Sequence, residues 1–178
     1  MREISPIRRG AIALVSLTIA ALLFRANIAT AMVTRGDDLA RAGNADRAIA
    51  FYRRALALDA GSPVAGDRLA FALVMRGASG DEPAAYRITD ALLRTGPHDP
   101  SLLADRAFAA QRLRRWRDAE RSFAEASRIA RDPRYAHLAA RMALRAHDPR
   151  AARRHLRDAL ALDPGYAPAR AALRQSPG

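Results

Sequence analysis

The chain has 178 residues and a net charge of +12, with 50% hydrophobic and only 6% aromatic residues, no cysteine, and arginine as its only basic side chain apart from histidine. The missing cysteine excludes disulfides, thiol nucleophiles, cysteine metal sites and an acylated cysteine, and the missing lysine excludes Schiff-base chemistry and a P-loop. Alanine and leucine dominate, and β-branched runs are confined to the first 30 residues, so the composition predicts an all-α protein with room for about four repeats of roughly 34 residues.

The charge is unevenly placed. Residues 1–31 carry +3, residues 32–99 are neutral, and residues 100–178 carry +9. Such a field attracts acidic partners at long range and is weakened by salt.

At the N-terminus, Arg2, Arg8 and Arg9 precede an apolar run from Gly10 to Phe24, closed by Arg25. The run alone spans about 22 Å, short of a hydrocarbon core of roughly 30 Å. Two readings are open. Residues 1–28 are a secretory signal cut near Ala29-Thr30-Ala31, or an uncleaved anchor lengthened by Ile28, Ala29, Ala31, Met32 and Val33, with Arg25 reaching the interface. The first repeat begins near Ala29, and cleavage there would cut its first helix, which favours the anchor. In both readings the arginines stay cytoplasmic and the remainder is exported, giving a bacterial inner-membrane protein with a periplasmic domain, or a periplasmic one after cleavage.

From residue 29 to 62, apolar and small residues recur at three and four residue spacing in two segments separated by Gly43-Asn44, predicting a helical hairpin. Gly36, Leu39, Gly43, Ala48, Tyr52 and Ala55 stand at the signature positions of a tetratricopeptide repeat, and the chain resembles that family. Residues 63–99 form a degenerate second repeat. Leu69, Ala70, Leu73 and Gly77 fit its first helix, Ser79 to Pro83 a lengthened turn, and Ala84, Ile88 and Ala91 its second helix. Residues 100–132 carry Leu103, Ala107, Ala119, Phe123 and Ala126 in register, with Ser101 read as the N-cap. Residues 133–166 follow with Ala140, Ala152, Leu156, Ala159 and Pro164, turning at His147-Asp148-Pro149. The late alanine recurs at Ala55, Ala91, Ala126 and Ala159. Residues 167–178 are a short capping helix and tail, with Arg170 and Arg174 on a polar outer end.

The resemblance covers about 140 residues and implies a right-handed α-α superhelix of about four hairpins behind one hydrophobic helix. By the same resemblance, the groove formed by the first helices of the pairs holds a partner. Asp37 and Arg41 map to it in the first repeat, Asp67, Phe71 and Met75 in the second, Phe108, Gln111 and Arg112 in the third, and His137, Arg141 and Arg145 in the fourth. Phe71, Met75 and Phe108 then supply an apolar floor beside a cationic end, suited to an acidic peptide or one with a free carboxylate. The lysine and asparagine set of the family's carboxylate clamp is not reproduced.

No catalytic constellation stands out. The four histidines lack metal-ligand spacing, and the Asp37-Asp38 and Asp81-Glu82 pairs are read as favouring helix starts. No cofactor, metal or small-molecule substrate is expected. Trp116 is read as packing between hairpins. The arginine clusters 112–117 and 150–157 could neutralise phosphates, but no recognition helix or stacking aromatics accompany them. The expectation is a non-catalytic scaffold or assembly factor of the bacterial envelope, in layout like anchored periplasmic repeat proteins. Its rivals are a nucleic-acid-binding protein using the arginine-rich half, and a regulatory partner of a separate enzyme.

Overall fold

Five of the described helices open on proline, whose missing N–H is not needed in a first turn and whose fixed φ suits one. In the computed structural model, which describes residues 6–175 with side chains from residue 15, the described residues form nine helices: α1 (Pro6–Arg41), α2 (Ala45–Leu58), α3 (Pro63–Arg76), α4 (Asp81–Thr95), α5 (Pro100–Arg112), α6 (Trp116–Ala130), α7 (Pro133–Arg145), α8 (Pro149–Leu162) and α9 (Ala167–Gln175). They divide into two compact units, residues 1–68 and 69–178, with the division inside α3.

In the first unit, α1 and α2 pack as a hairpin around Ala29, Val33, Ala48, Ile49, Tyr52 and Ala55. Gly36 lets α1 approach Tyr52 so closely that a Cβ there would lie 2.4 Å from the phenol ring. The Tyr52 hydroxyl donates to Asp37 at 2.7 Å, and Arg68 lies 3.3 Å from the same carboxylate. Asp37 and Asp38 therefore stand near the C-terminal end of α1, not at a helix start. Their negative charge is offset by Arg68, Arg41 and the phenol hydroxyl instead of a helix dipole.

The expected junction between residues 28 and 29 falls within α1, which runs without a break for 36 residues. No glycine or proline interrupts it between Ala11 and Arg35, so nothing forces a kink. The Arg25 guanidinium donates to the Leu58 carbonyl at 3.0 Å, fixing the level at which α2 ends. Before that level Val15, Leu17, Ile19, Leu22, Leu23 and Phe24 are all exposed. This helix is long and apolar enough to cross a membrane, with a mean hydropathy of 1.6 over its most apolar 18-residue window.

In the second unit each helix from α4 to α9 packs on the next in sequence. Ala107 and Phe123 of α5 and α6, and Ala140 and Leu156 of α7 and α8, repeat the pairing of a small residue on the first helix with a larger one on the second; all four are buried. Burying Phe123 completely contributes about 1.5–3 kcal/mol. The last core combines Ala136, Ala143, Ala152, Leu156 and Ala159 with Ala169 of α9, and leaves Arg170 and Arg174 exposed. Arg106 ties three helices together by donating to the Tyr86 hydroxyl at 2.9 Å, Asp90 at 3.1 Å and Ser122 at 2.8 Å.

Two local expectations are corrected. Beyond Asp81 at its start, the buried positions of α4 are Ala85, Tyr86 and Thr89, whereas Ala91 is exposed, so the α4 register is set by Ala85 and the late alanine does not recur there. Thr89 occupies the place held by Tyr52, Phe123 and Leu156 and satisfies its hydroxyl on the Ala85 and Tyr86 carbonyls. The N-cap of α5 is Asp99, not Ser101; its carboxylate accepts from the Ser101 N–H at 2.7 Å, and Ser101 adds its own hydroxyl. An ionised acceptor at that place satisfies orphan amides better than a hydroxyl one turn position later.

Candidate functional site

The inward stripes of α5 and α7 are alanines at three and four residue spacing: Ala104, Ala107 and Ala110 on one, Ala136, Ala140 and Ala143 on the other. That spacing leaves the opposite stripe of each helix to longer side chains. On α5 these are Phe108, Gln111 and Arg112, and on α7 they are Arg141, Leu144 and Arg145. The C-terminal part of α3 adds Phe71 and Met75. Phe71 is 50%, Met75 65%, Phe108 37% and Leu144 49% exposed.

A depression of about 310 Å³ lies between α5 and α7, lined by Gln111, Arg141, Leu144 and Arg145 with Met142 and Trp116. Arg141 and Arg145 are one helical turn apart and have no carboxylate partner among the described residues. Phe108 sets its ring edge-on against Phe123 at 5.1 Å, which holds the exposed half of the ring in one orientation.

The remaining predicted residues are placed differently. Arg41 belongs to the first unit and is ion-paired to Asp38 at 2.6 Å. Arg112 lies 3.5 Å from Glu82 and against Gly77, where an added Cβ would meet its guanidinium at 2.2 Å. His137 sits edge-on to Tyr166 at 5.9 Å with a buried Nδ1 that has no hydrogen-bond partner. Burial, and then the neighbouring Arg141, hold its imidazole below the usual 6.5, so it stands neutral. It is a packing residue of α7 more than a contact in the depression.

Trp116, read from the sequence as packing between hairpins, also reaches the site. Its indole is half-buried, lines the depression and lies under the Arg145 guanidinium at 5.8 Å. The signal for this was its position next to the turn after Arg112, where the first residue of a second helix faces the end of the neighbouring first helix.

Successive hairpins with small residues at the contact between their helices, and larger ones four positions after, define a tetratricopeptide-repeat-like fold. No protein-family model and no curated protein matches the chain. Among solved structures it is similar to MamA, including a fragment of the protein from Desulfovibrio magneticus RS-1 at 17% identity and TM-score 0.68, covering 78% of this chain and 77% of that one. A second MamA structure aligns at 15% identity and TM-score 0.71, covering 79% and 76%. YrrB, a TPR protein with an unusual peptide-binding site, aligns at 15% identity and TM-score 0.51 over 80% of this chain and 90% of that one. At these identities the likeness is one of fold.

Proposed function

We propose that this chain is a non-catalytic interaction scaffold of the bacterial cell envelope, held by α1 in the inner membrane with its hairpins on the periplasmic side. It captures a segment of a partner protein that carries an acidic side chain or free carboxylate beside one or two apolar anchors. The observation that carries this reading is the juxtaposition, within residues 69–178, of the exposed Leu144 and the half-buried Trp116 with Arg141 and Arg145, neither of which has a carboxylate partner among the described residues, around one depression. Exposed apolar side chains rimmed by polar ones mark interaction surfaces, and guanidinium forks match carboxylates. The peptide-binding site of YrrB, on a similar fold, lends the reading support. The excess of +9 over residues 100–178 supplies the long-range attraction.

The test is capture by photo-crosslinking from a probe at Gln111 in membranes of the native host, comparing the wild-type chain with Arg141→Ala/Leu144→Ser. The expected outcome is a small set of acidic partners lost in the double variant at unchanged helical content. Equal capture by both forms would remove the proposal.

A further inference from the structure

A second depression opens at the turn edge of the second unit, where α5 passes into α6 and α7 into α8. It is a shallow, open depression of about 560 Å³ lined by Arg114, Arg115, Trp116, Arg117, Asp118, Arg145, Ala146 and His147. The two turns are built alike. Arg114 and His147 both lie in the left-handed region, at φ 57° and 59°, where the first hairpin has Gly43 at 77°. The Arg114 N–H donates to Gln111 and the Arg115 N–H to Ala110; the His147 N–H donates to Leu144 and the Asp148 N–H to Ala143. This shared geometry sets Arg114 and His147 at equivalent places in neighbouring hairpins, on the rim of one hollow.

The charges there do not cancel. Asp118 is the one carboxylate in the lining, and it is already engaged by Arg115 at 2.7 Å, by Arg121 and by the Tyr86 hydroxyl at 3.2 Å. Arg115 is further committed by lying over the Tyr86 ring at 4.3 Å. Arg114, Arg117 and Arg145 have no carboxylate partner among the described residues. Three guanidinium groups therefore share a hollow with no acid left to offset them, and an indole forms one wall.

We infer that this hollow binds a phosphoryl group, with Arg114, Arg117 and Arg145 as its donors and Trp116 as the wall against which the organic part of a phosphate ester rests. A carboxylate carries one charge, whereas a phosphate monoester carries about −1.5 to −2 at neutral pH and offers three acceptor oxygens to guanidinium forks. The volume far exceeds an inorganic phosphate, which leaves room for the esterified part. This hollow shares Arg145 and Trp116 with the depression between α5 and α7, but Arg114 and Arg117 line this hollow alone, so substitutions at those two test it apart from the peptide-binding reading.

The chain reports on the site by itself, because Trp116 is its one tryptophan. The full chain in detergent micelles, at fixed ionic strength, is titrated with inorganic phosphate and with glycerol 3-phosphate while Trp116 emission is followed. A parallel series uses phosphatidic acid vesicles against phosphatidylcholine vesicles. The comparison variant is Arg114→Asn/Arg117→Gln, with asparagine chosen because it tolerates the left-handed region. The expected result is a saturable change in emission whose midpoint moves at least about tenfold in the variant. A response to the soluble phosphates assigns a free ligand, and a response to phosphatidic acid vesicles alone assigns a lipid headgroup. An identical response in wild type and variant, or none to any of the three phosphates, overturns the inference.

Discussion

At His137 two effects point the same way. Burial removes water from the imidazole and Arg141 repels a proton on it, so the folded chain holds that proton less tightly than the unfolded chain does. The stability contributed by the neutral ring is complete above the unfolded value of 6.5 and is lost progressively as pH falls towards the depressed folded value. His137→Phe keeps an edge for Tyr166 and removes the titration. Its unfolding free energy is expected to change less than the wild type's between about pH 7 and about pH 5.5, measured by chemical denaturation. Gly36 and Tyr52 were legible as signature positions, but that the two meet is a finding of the structure, since spacing does not say which aromatic faces a given glycine. The partners of Arg41 and Arg112 were not legible either. Asp38 competes from one turn away and Glu82 from 30 residues away, and helical periodicity carries no information about which of several arginines an acid selects.

Among the elements, caps and registers decide where helices begin and which faces they bury. Asp99 is held below the ordinary carboxylate range by the Ser101 hydroxyl and by the Ser101 and Leu102 amides, and Asp132 likewise by Arg134. For Asp118, burial pushes the carboxyl up, but Arg115, Arg121 and the Tyr86 hydroxyl outweigh it and leave it low. Each contributes stability that is present above about pH 4, the unfolded value, and disappears as pH falls through the folded one. Asp99→Ala is expected to cost about 0.5–2 kcal/mol in thermal unfolding at neutral pH, and the cost should shrink in acid as the wild-type cap becomes protonated. The first, third and fourth hairpins were legible because each carries an aromatic or leucine four residues after a buried alanine. The second was misread because Thr89 stands in that place and a tempting alanine, Ala91, lies one position off the true register. A hydroxyl that bonds back to its own helix leaves no hydrophobic signal to count.

For the whole molecule, the all-helical, repeat-like architecture was legible from spacing, while the site was legible only in outline. The one-turn separation of Arg141 and Arg145 put both on one side of α7, and they do share a depression with Gln111. That Trp116 stands at the meeting of two hollows depends on how neighbouring hairpins are offset, which repeat spacing does not encode. The proposed envelope location makes its own prediction: after membrane fractionation, the chain is recovered in the membrane pellet with residues 1–28 intact. N-terminal sequencing of a soluble form starting near Met32 would instead assign those residues to a cleaved signal.

One consequence of the Arg25 contact and the unbroken α1 is mechanical. With the apolar half of α1 in a bilayer, the first hairpin has no swivel between it and the lipid, because the same rod serves both and the Leu58 carbonyl is clasped from below. A flexible tether would let that hairpin sweep a hemisphere; a stiff stalk confines it to a thin layer at a set height. Tilting of the stalk is then transmitted directly to the hairpin, and partners embedded in the same membrane meet it in two dimensions instead of three.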